Sequence, residues 1–245
     1  MKPTVSIIIA TFNAKKYVRR CLESIAKQDY EALEIIVIDG GSTDGTIEIL
    51  KKYTRRRQLK WISEKDQGIA DAFNKGLRMA KGDYLYFLGS DDVLAGGQVI
   101  KRMMRGINKD KDVFVCGRVA CVDRDTLQTQ TVSDIHFRPW QFLYKMALPH
   151  QGLFTNRRFF LTFGDFDTSC IYAMDYELLL RAYRRFPHVV LKNIIVAKWA
   201  SGGIGADKTG AVIREYDRIR KQNRIAPAWV LSFVHLAAKV RYGLI

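Results

Sequence analysis

Three short apolar runs, each followed by a stretch of helical periodicity, and then a fourth run constrain this chain more than any other feature. Val5-Ser6-Ile7-Ile8-Ile9-Ala10 is a β-branched run, and helical spacing follows from about Ala14 to Lys27. Leu33 to Ile38 and Thr43 to Tyr53 repeat the pair, as do Leu59 to Ser63 and Ile69 to Met79, and Tyr84 to Leu88 is the fourth run. Near-continuous apolar strands separated by helices suit a parallel sheet covered on both faces, where each strand is buried on both sides. The first half, to about residue 120, is therefore expected to be an open α/β layer structure.

The second half loses that rhythm. Val113 to Val122 and Thr126 to Val132 read as a pair of strands, Arg138 to Met146 as a short helix and Asp175 to Arg185 as a longer one. Val189 to Val196 reads as another strand and Ala206 to Asn223 as a polar helix, so this half is expected to complete the sheet. A chain of 245 residues can bury one full-sized core, and no internal repeat or low-complexity linker divides it. The clear compositional shift comes after about Arg224. There Trp229, Phe233, Leu236, Val240 and Leu244 recur at helical spacing, interrupted by His235, Lys239 and Arg241.

In open α/β sheets, ligands sit outside the carboxyl ends of the strands. Three segments fall there: Thr11-Phe12-Asn13, Asp39-Gly40-Gly41-Ser42 and Gly89-Ser90-Asp91-Asp92. Asp39 ends an apolar strand and precedes two glycines that let a ligand approach the backbone. Its carboxylate can accept from a nucleobase N–H or a ribose hydroxyl, or it can cap the next helix. Asp91 and Asp92 are adjacent carboxylates that repel each other unless a cation compensates, and Mg²⁺ or Mn²⁺ suits hard oxygen ligands. The rival account is an acidic helix N-terminus. Asp175, at the expected start of a helix, is a general base or a cap. His150-Gln151-Gly152 follows Pro149 in a loop, where a lone histidine is more often structural.

Composition excludes several classes. The formal charge of +15 favours anionic partners, and its clusters include Lys51-Lys52, Arg55-Arg56-Arg57, Lys101-Arg102 and Arg157-Arg158. Aromatic residues do not interleave with those clusters as a nucleic-acid stacking platform requires, so no nucleic-acid partner is expected. G-x-G-x-x-G, G-K-[ST], G-x-S-x-G and H-E-x-x-H are all missing from the sequence. Cys21, Cys116, Cys121 and Cys170 form no C-x-x-C pair and read as buried small hydrophobes, which suits a reducing compartment. The first residues lack a signal-peptide apolar region and cleavage site, so a cytoplasmic chain is expected.

Taken together these segments resemble family 2 glycosyltransferases of the GT-A fold, over Val5 to about Gly205. Val5 to Asn13 looks like the family's opening strand and base-binding loop, and Ser24-Ile25 through Gln28 looks like the helix that follows. Ile36-Val37-Ile38-Asp39-Gly40-Gly41-Ser42-Thr43-Asp44-Gly45-Thr46 is similar to the second signature. Asp66 to Gly76 with Ala80-Lys81-Gly82-Asp83-Tyr84 looks like a bacterial polysaccharide-assembly branch, and Gly164-Asp165-Phe166-Asp167 resembles the stretch before the catalytic base. The implied architecture is α/β: a GT-A open, mostly parallel nucleotide-binding sheet with helices on both faces, plus a C-terminal helical tail. It would comprise a transferase domain over 1–225, with a donor-nucleotide half to 120 and an acceptor half from 121, and an amphipathic helical tail over 226–245.

The resemblance also implies roles. Thr11, Phe12 and Asp39 would hold the nucleoside of a nucleotide-sugar donor, Asp66 and Gly68 would line the donor site, and Asp91 with Asp92 would bind Mg or Mn at the diphosphate. Asp175 would take the proton from the acceptor hydroxyl in a single inverting displacement, with His150, Gly202 and Gly203 near the acceptor. Two positions depart from the family pattern. Gly89 stands where the first acid of the metal triplet usually sits, and Phe73 replaces an arginine found in many relatives, which makes Lys75 a candidate for phosphate contact. Many relatives act on lipid-linked intermediates, so a glycan or lipid-linked glycan acceptor is implied. With it comes peripheral contact with the inner face of the cytoplasmic membrane, through the tail. The tail's uncharged stretch is too short to span a bilayer. A sugar nucleotidyltransferase and a basic membrane- or nucleic-acid-binding protein are the competing readings.

Overall fold

A computed structural model describes residues 2–54 and 59–244, so the Arg55-Arg56-Arg57 cluster lies outside the described residues. Strands β1 (Val5–Thr11), β2 (Leu33–Asp39), β3 (Leu59–Ser63) and β4 (Tyr84–Gly89) alternate with helices α1 (Val18–Ala26), α2 (Thr46–Thr54) and α3 (Ile69–Met79). β1 pairs in parallel with both β2 and β4, and β2 with β3, as the alternation of apolar runs predicts. Side-chain alternation fills both faces of this layer. Ile7, Ile9, Tyr86 and Leu88 meet Val18, Leu22 and Ile25 of α1, whereas Ile8, Ile36, Leu85 and Phe87 meet Ala72 and Phe73 of α3.

The second half adds antiparallel pairs and makes the sheet mixed. β5 (Val93–Leu94) and helix α4 (Val99–Met104) lead to β6 (Phe114–Val122) and β7 (Thr129–Val132). β8 (Leu153–Asn156) lies antiparallel between β4 and β6, while the long β9 (Val189–Ala200) runs parallel to β6 and antiparallel to β5. The spatial order is β3-β2-β1-β4-β8-β6-β9-β5, with β7 on β6. β6 spans residue 120, so the two halves share one sheet. Helices α5 (Arg157–Phe163), α6 (Met174–Leu180) and α7 (Thr209–Gln222) join the α3 side of the core, and α8 (Ala228–Arg241) packs on α7.

Several expected boundaries shift. The helix expected over 138–146 is a short 3₁₀ turn at Pro139–Leu143. The helix expected over 175–185 ends at Leu180 and gives way to a 3₁₀ turn at Tyr183–Arg185. α1 begins four residues later than its periodicity suggests. The preceding loop bends through Asn13, at φ 47°, and is tied to the β2–α2 loop instead. Cys21, Cys116 and Cys170 are buried free thiols and Cys121 is half-buried. No helix among the described residues is long and apolar enough to cross a membrane.

Candidate active site

Strand register builds the site. Thr11, Asp39 and Ser63 are direct neighbours across β1, β2 and β3, and Gly89 lies opposite Ala10. The loops that leave these strands therefore open on one rim. Asn13 N–H donates to Ser42 Oγ (2.7 Å), Thr43 N–H to Asn13 Oδ1 (3.0 Å) and Ala14 N–H to Thr46 Oγ1 (2.9 Å). Asp44 holds Thr46 and the Lys15 amide, so the β1–α1 and β2–α2 loops form one wall. Phe12 projects from it, 63% exposed. Thr11 is buried and its hydroxyl has no protein partner.

Asp39 is wholly buried. Its carboxylate accepts from the Gly41 and Ser42 amides (3.1 and 2.9 Å) and from the hydroxyls of Ser42 (2.5 Å) and Ser63 (2.6 Å). The sequence left a choice between ligand contact and capping. The structure makes Asp39 the organiser of the 40–42 turn, with three of these four bonds on one oxygen and Oδ1 taking only the Ser42 hydroxyl. Asp66 faces the same turn and accepts from Gly68 N–H (3.0 Å), while a Cβ on Gly40 would meet Asp66 Oδ2 at 2.6 Å and Phe12 at 3.3 Å. Glycine at 40 is what lets Phe12 and Asp66 flank the opening. Gly68, at φ 114°, starts α3 in a conformation that side chains resist.

The paired acids divide. Asp92 is buried, with Oδ1 accepting from Ala200 N–H (2.9 Å) and Oδ2 from Gly89 N–H (3.3 Å). Burial, with the neighbouring Asp91 charge, pushes its carboxyl up to about 7. It ties the end of β9 to the acidic loop rather than facing the opening. Asp91 is the half-exposed partner. Its Oδ2 lies 3.2 Å from Arg124 Nη2, and its backbone carbonyl accepts from Arg20 Nη2 (3.1 Å).

Asp175 lies in the first turn of α6, whose N-cap is Ala173, so it does not serve as the cap. The side chain is 22% exposed, and Oδ2 stands 3.8 Å from His150 Nδ1. His150 packs against the rings of Phe73, Phe87 and Phe166, and burial among them lowers its pKa. It is therefore kept neutral, with Nε2 buried and unpartnered. The next residue, Gln151, lies beside Asp92 and favours its charged form. One dipeptide thus touches both the acidic loop and the carboxylate of α6.

Sequence reasoning missed what holds Asp175 in place. Glu215 of α7 accepts from the amides of Ile171, Tyr172 and Ala173 (3.0, 2.8 and 2.8 Å), and Tyr216 stacks on Tyr176 at 4.3 Å. Asn74 adds two bonds to the backbone of Phe166, fixing the Gly164–Asp167 loop on α3. None of these partners has a local spacing signal, since each is dozens of residues away. Lys75 is not free for a phosphate: its ammonium is paired with Glu64 (3.0 Å) and Asp71 (3.4 Å) and donates to Lys65 O (2.9 Å). Gly202, at φ 82°, accepts from Arg124 Nη2 (2.8 Å), so it lies beside Asp91. Gly203 follows it, and Gly205 approaches Tyr172 ahead of α6.

A family model described as Glycosyl transferase family 2 matches residues 6–174, and the chain belongs to that family. It is a glycosyltransferase, which sets aside the nucleotidyltransferase and charge-driven binding readings. The chain is 29% identical over 199 residues to a "PGL/p-HBAD biosynthesis glycosyltransferase" of Mycobacterium bovis, covering 78% of this chain and 76% of that one. It is 32% identical over 183 residues to the chondroitin synthase of Escherichia coli, covering 73% of this chain but 26% of that one. Among solved structures, S. aureus TarS 1-349 with UDP-GlcNAc aligns at TM-score 0.70 and 20% identity, covering 89% of this chain and 66% of that one. A mannosyltransferase of Pyrobaculum calidifontis, solved with GDP-Man and Mn²⁺, aligns at TM-score 0.66 and 19% identity over 100% of this chain and 76% of that one. At these identities the likeness extends to the fold.

Proposed function

We propose that the chain transfers a sugar from a nucleoside-diphosphate sugar to a hydroxyl of a glycan or lipid-linked glycan, with inversion. The observation that carries this reading is the His150-Gln151 dipeptide, which lies between Asp175 and the acidic loop and so sets a candidate base near a candidate diphosphate site. The nucleoside would lie between Phe12 and Asp66, against the turn that Asp39 organises, with the Thr11 hydroxyl free to hydrogen-bond it. Asp175 would take the acceptor proton as the acceptor oxygen bonds to the anomeric carbon. The bond to the diphosphate breaks on the opposite face and the diphosphate leaves with the electron pair. Neutral His150 sets no positive charge against Asp175, so the carboxylate stays available as a base.

The residues present fit a divalent metal in one way only. Gly89 offers no ligand and both Asp92 oxygens are taken, but Asp91 remains, and Mg²⁺ or Mn²⁺ often binds one carboxylate plus substrate phosphates. Among the described residues no three His, Cys, Asp or Glu side chains converge on a metal-sized site. Asp91 would therefore hold the ion with the donor present, and the ion would supply Lewis-acid compensation at the leaving diphosphate. A thermal-shift series with UDP and GDP, with and without Mn²⁺, tests the donor site. One of the two is expected to raise Tm by about 5–10 °C at a hundredfold excess over its Kd. No shift with either nucleotide, with or without Mn²⁺, would remove the reading.

An anionic lipid surface is the proposed neighbour of α8. Leu231 packs inward, while Trp229 (77% exposed), Phe233 (69%), Leu236 and Val240 face outward beside Lys239 and Arg241. The net charge of +15 complements such a surface. The chain is expected to sediment with phosphatidylglycerol vesicles and not with phosphatidylcholine vesicles, and Trp229→Glu with Phe233→Glu to leave most of it in the supernatant. Dimerisation that buries these residues, without vesicle binding, would assign the face to a second copy instead.

A further inference from the structure

We propose that Arg124 and Arg20 are the donor's diphosphate-binding residues, supplying the positive charge at the point where the acidic loop is one carboxylate short. The inference rests on the donor-site reading above. Gly89 is not simply a lost acid. A Cβ built there would lie 2.9 Å from Asp92 Oδ2 and 3.0 Å from Asp91 Oδ1, so a side chain at 89 would have to displace both carboxylates. With Asp92 committed to two backbone amides, Asp91 is the one carboxylate left to recruit a cation. A guanidinium already stands on it.

Arg124 reaches Asp91 from the β6–β7 turn and is held there from three directions. Its Nη2 lies 3.2 Å from Asp91 Oδ2 and donates to Gly202 O at 2.8 Å, and its guanidinium carbon is 5.8 Å from the centre of the Tyr17 ring. The turn itself is pinned to the start of α1. Asp125 pairs with Lys16 at 2.7 Å and accepts from the Tyr17 hydroxyl at 3.1 Å. Arg20 comes from α1, stacks closer on the same ring (4.8 Å) and donates from Nη2 to the Asp91 carbonyl. Asp91 thus faces two guanidinium groups, and no carboxylate among the described residues pairs with Arg20.

Both Nε atoms are buried without a hydrogen-bond partner. An unpaired buried N–H costs free energy, and on two adjacent arginines the cost is removed by an anion with several acceptor oxygens. A diphosphate is such an anion, and the planar fork of arginine suits phosphate bidentately. Arg124 therefore has two uses. Before the donor arrives it neutralises Asp91; when the diphosphate enters, its fork turns to the phosphate oxygens and leaves Asp91 free for a metal. Charge at the leaving group is shared between side chains and ion, so donor binding survives without metal.

Titration calorimetry with UDP and GDP in excess EDTA tests this, using uridine and guanosine to isolate the base contribution. The wild-type chain is expected to bind one diphosphate in EDTA and to bind it more tightly than the matching nucleoside. Arg124→Met and Arg20→Met should each weaken that diphosphate at least tenfold in EDTA, with nucleoside affinity unchanged. Arg124→Lys should recover part of the loss, and unchanged nucleoside affinity reports that the fold is intact. Diphosphate affinity in EDTA that is the same in both methionine variants as in wild type would overturn the proposal. So would a wild-type chain that binds diphosphate and nucleoside equally in EDTA. If the wild-type chain bound neither UDP nor GDP even with Mn²⁺, the donor site itself would be wrong and this inference would fall with it.

Discussion

Asp175→Asn is expected to lower the rate of sugar transfer about a thousandfold, while donor affinity stays within twofold of wild type. The size follows from what a positioned general base contributes, roughly 10²- to 10⁴-fold. The selectivity follows from geometry. An asparagine at this position is nearly isosteric, its oxygen can still accept from Tyr176 N–H as Asp175 Oδ1 does (2.8 Å), and it cannot take a proton. Glu215 and the stacked Tyr216 would hold the loop and helix as before, so the variant should melt with the wild-type chain. Single-turnover rates alongside nucleotide titrations separate the two quantities. A variant retaining a tenth or more of the rate would move the base elsewhere.

The second large effect is on stability. Asp39→Ala removes the acceptor for two backbone amides and two hydroxyls in a site with no solvent to replace it. Buried donors left unpaired cost about 1–3 kcal/mol each when the fold cannot relax. Some relaxation of the 40–42 turn is available, so a loss of about 3 kcal/mol or more is expected, or about 6–12 °C in Tm. Urea unfolding measures it directly. Asp39→Asn keeps one acceptor oxygen and should lose less. A loss under 1 kcal/mol in the alanine variant would mean that this network does not hold the wall of the site together.

The parallel layer was legible because strands buried on both sides leave a near-continuous apolar signature, which β1, β2 and β4 carry. β8 is only Leu-Phe-Thr-Asn, and β5 only Val-Leu; at that length a strand looks like any apolar fragment, and its pairing comes from contacts dozens of residues away. The carboxylates of the site were legible for a similar reason. A charge at the end of an apolar strand, as at Asp39 or just past β4 at Asp91, breaks a pattern that the core would otherwise extend. What the sequence hid was direction. Asp91 and Asp92 are adjacent and chemically identical, yet one meets the opening and the other turns inward to Ala200 and Gly89. The arginines were hidden too, because a guanidinium useful at Asp91 looks in sequence like any other member of a strongly basic chain.

Glu215 has a consequence for where the working unit ends. The span shared with the family stops at residue 174, one position before Asp175, and the three amides that Glu215 gathers lie inside that span. The approach to the proposed base is therefore clamped by a helix beyond the residues that the family model matches. Swapping the C-terminal helices between relatives would thus exchange the anchor of the proposed base as well as the exposed apolar face of α8.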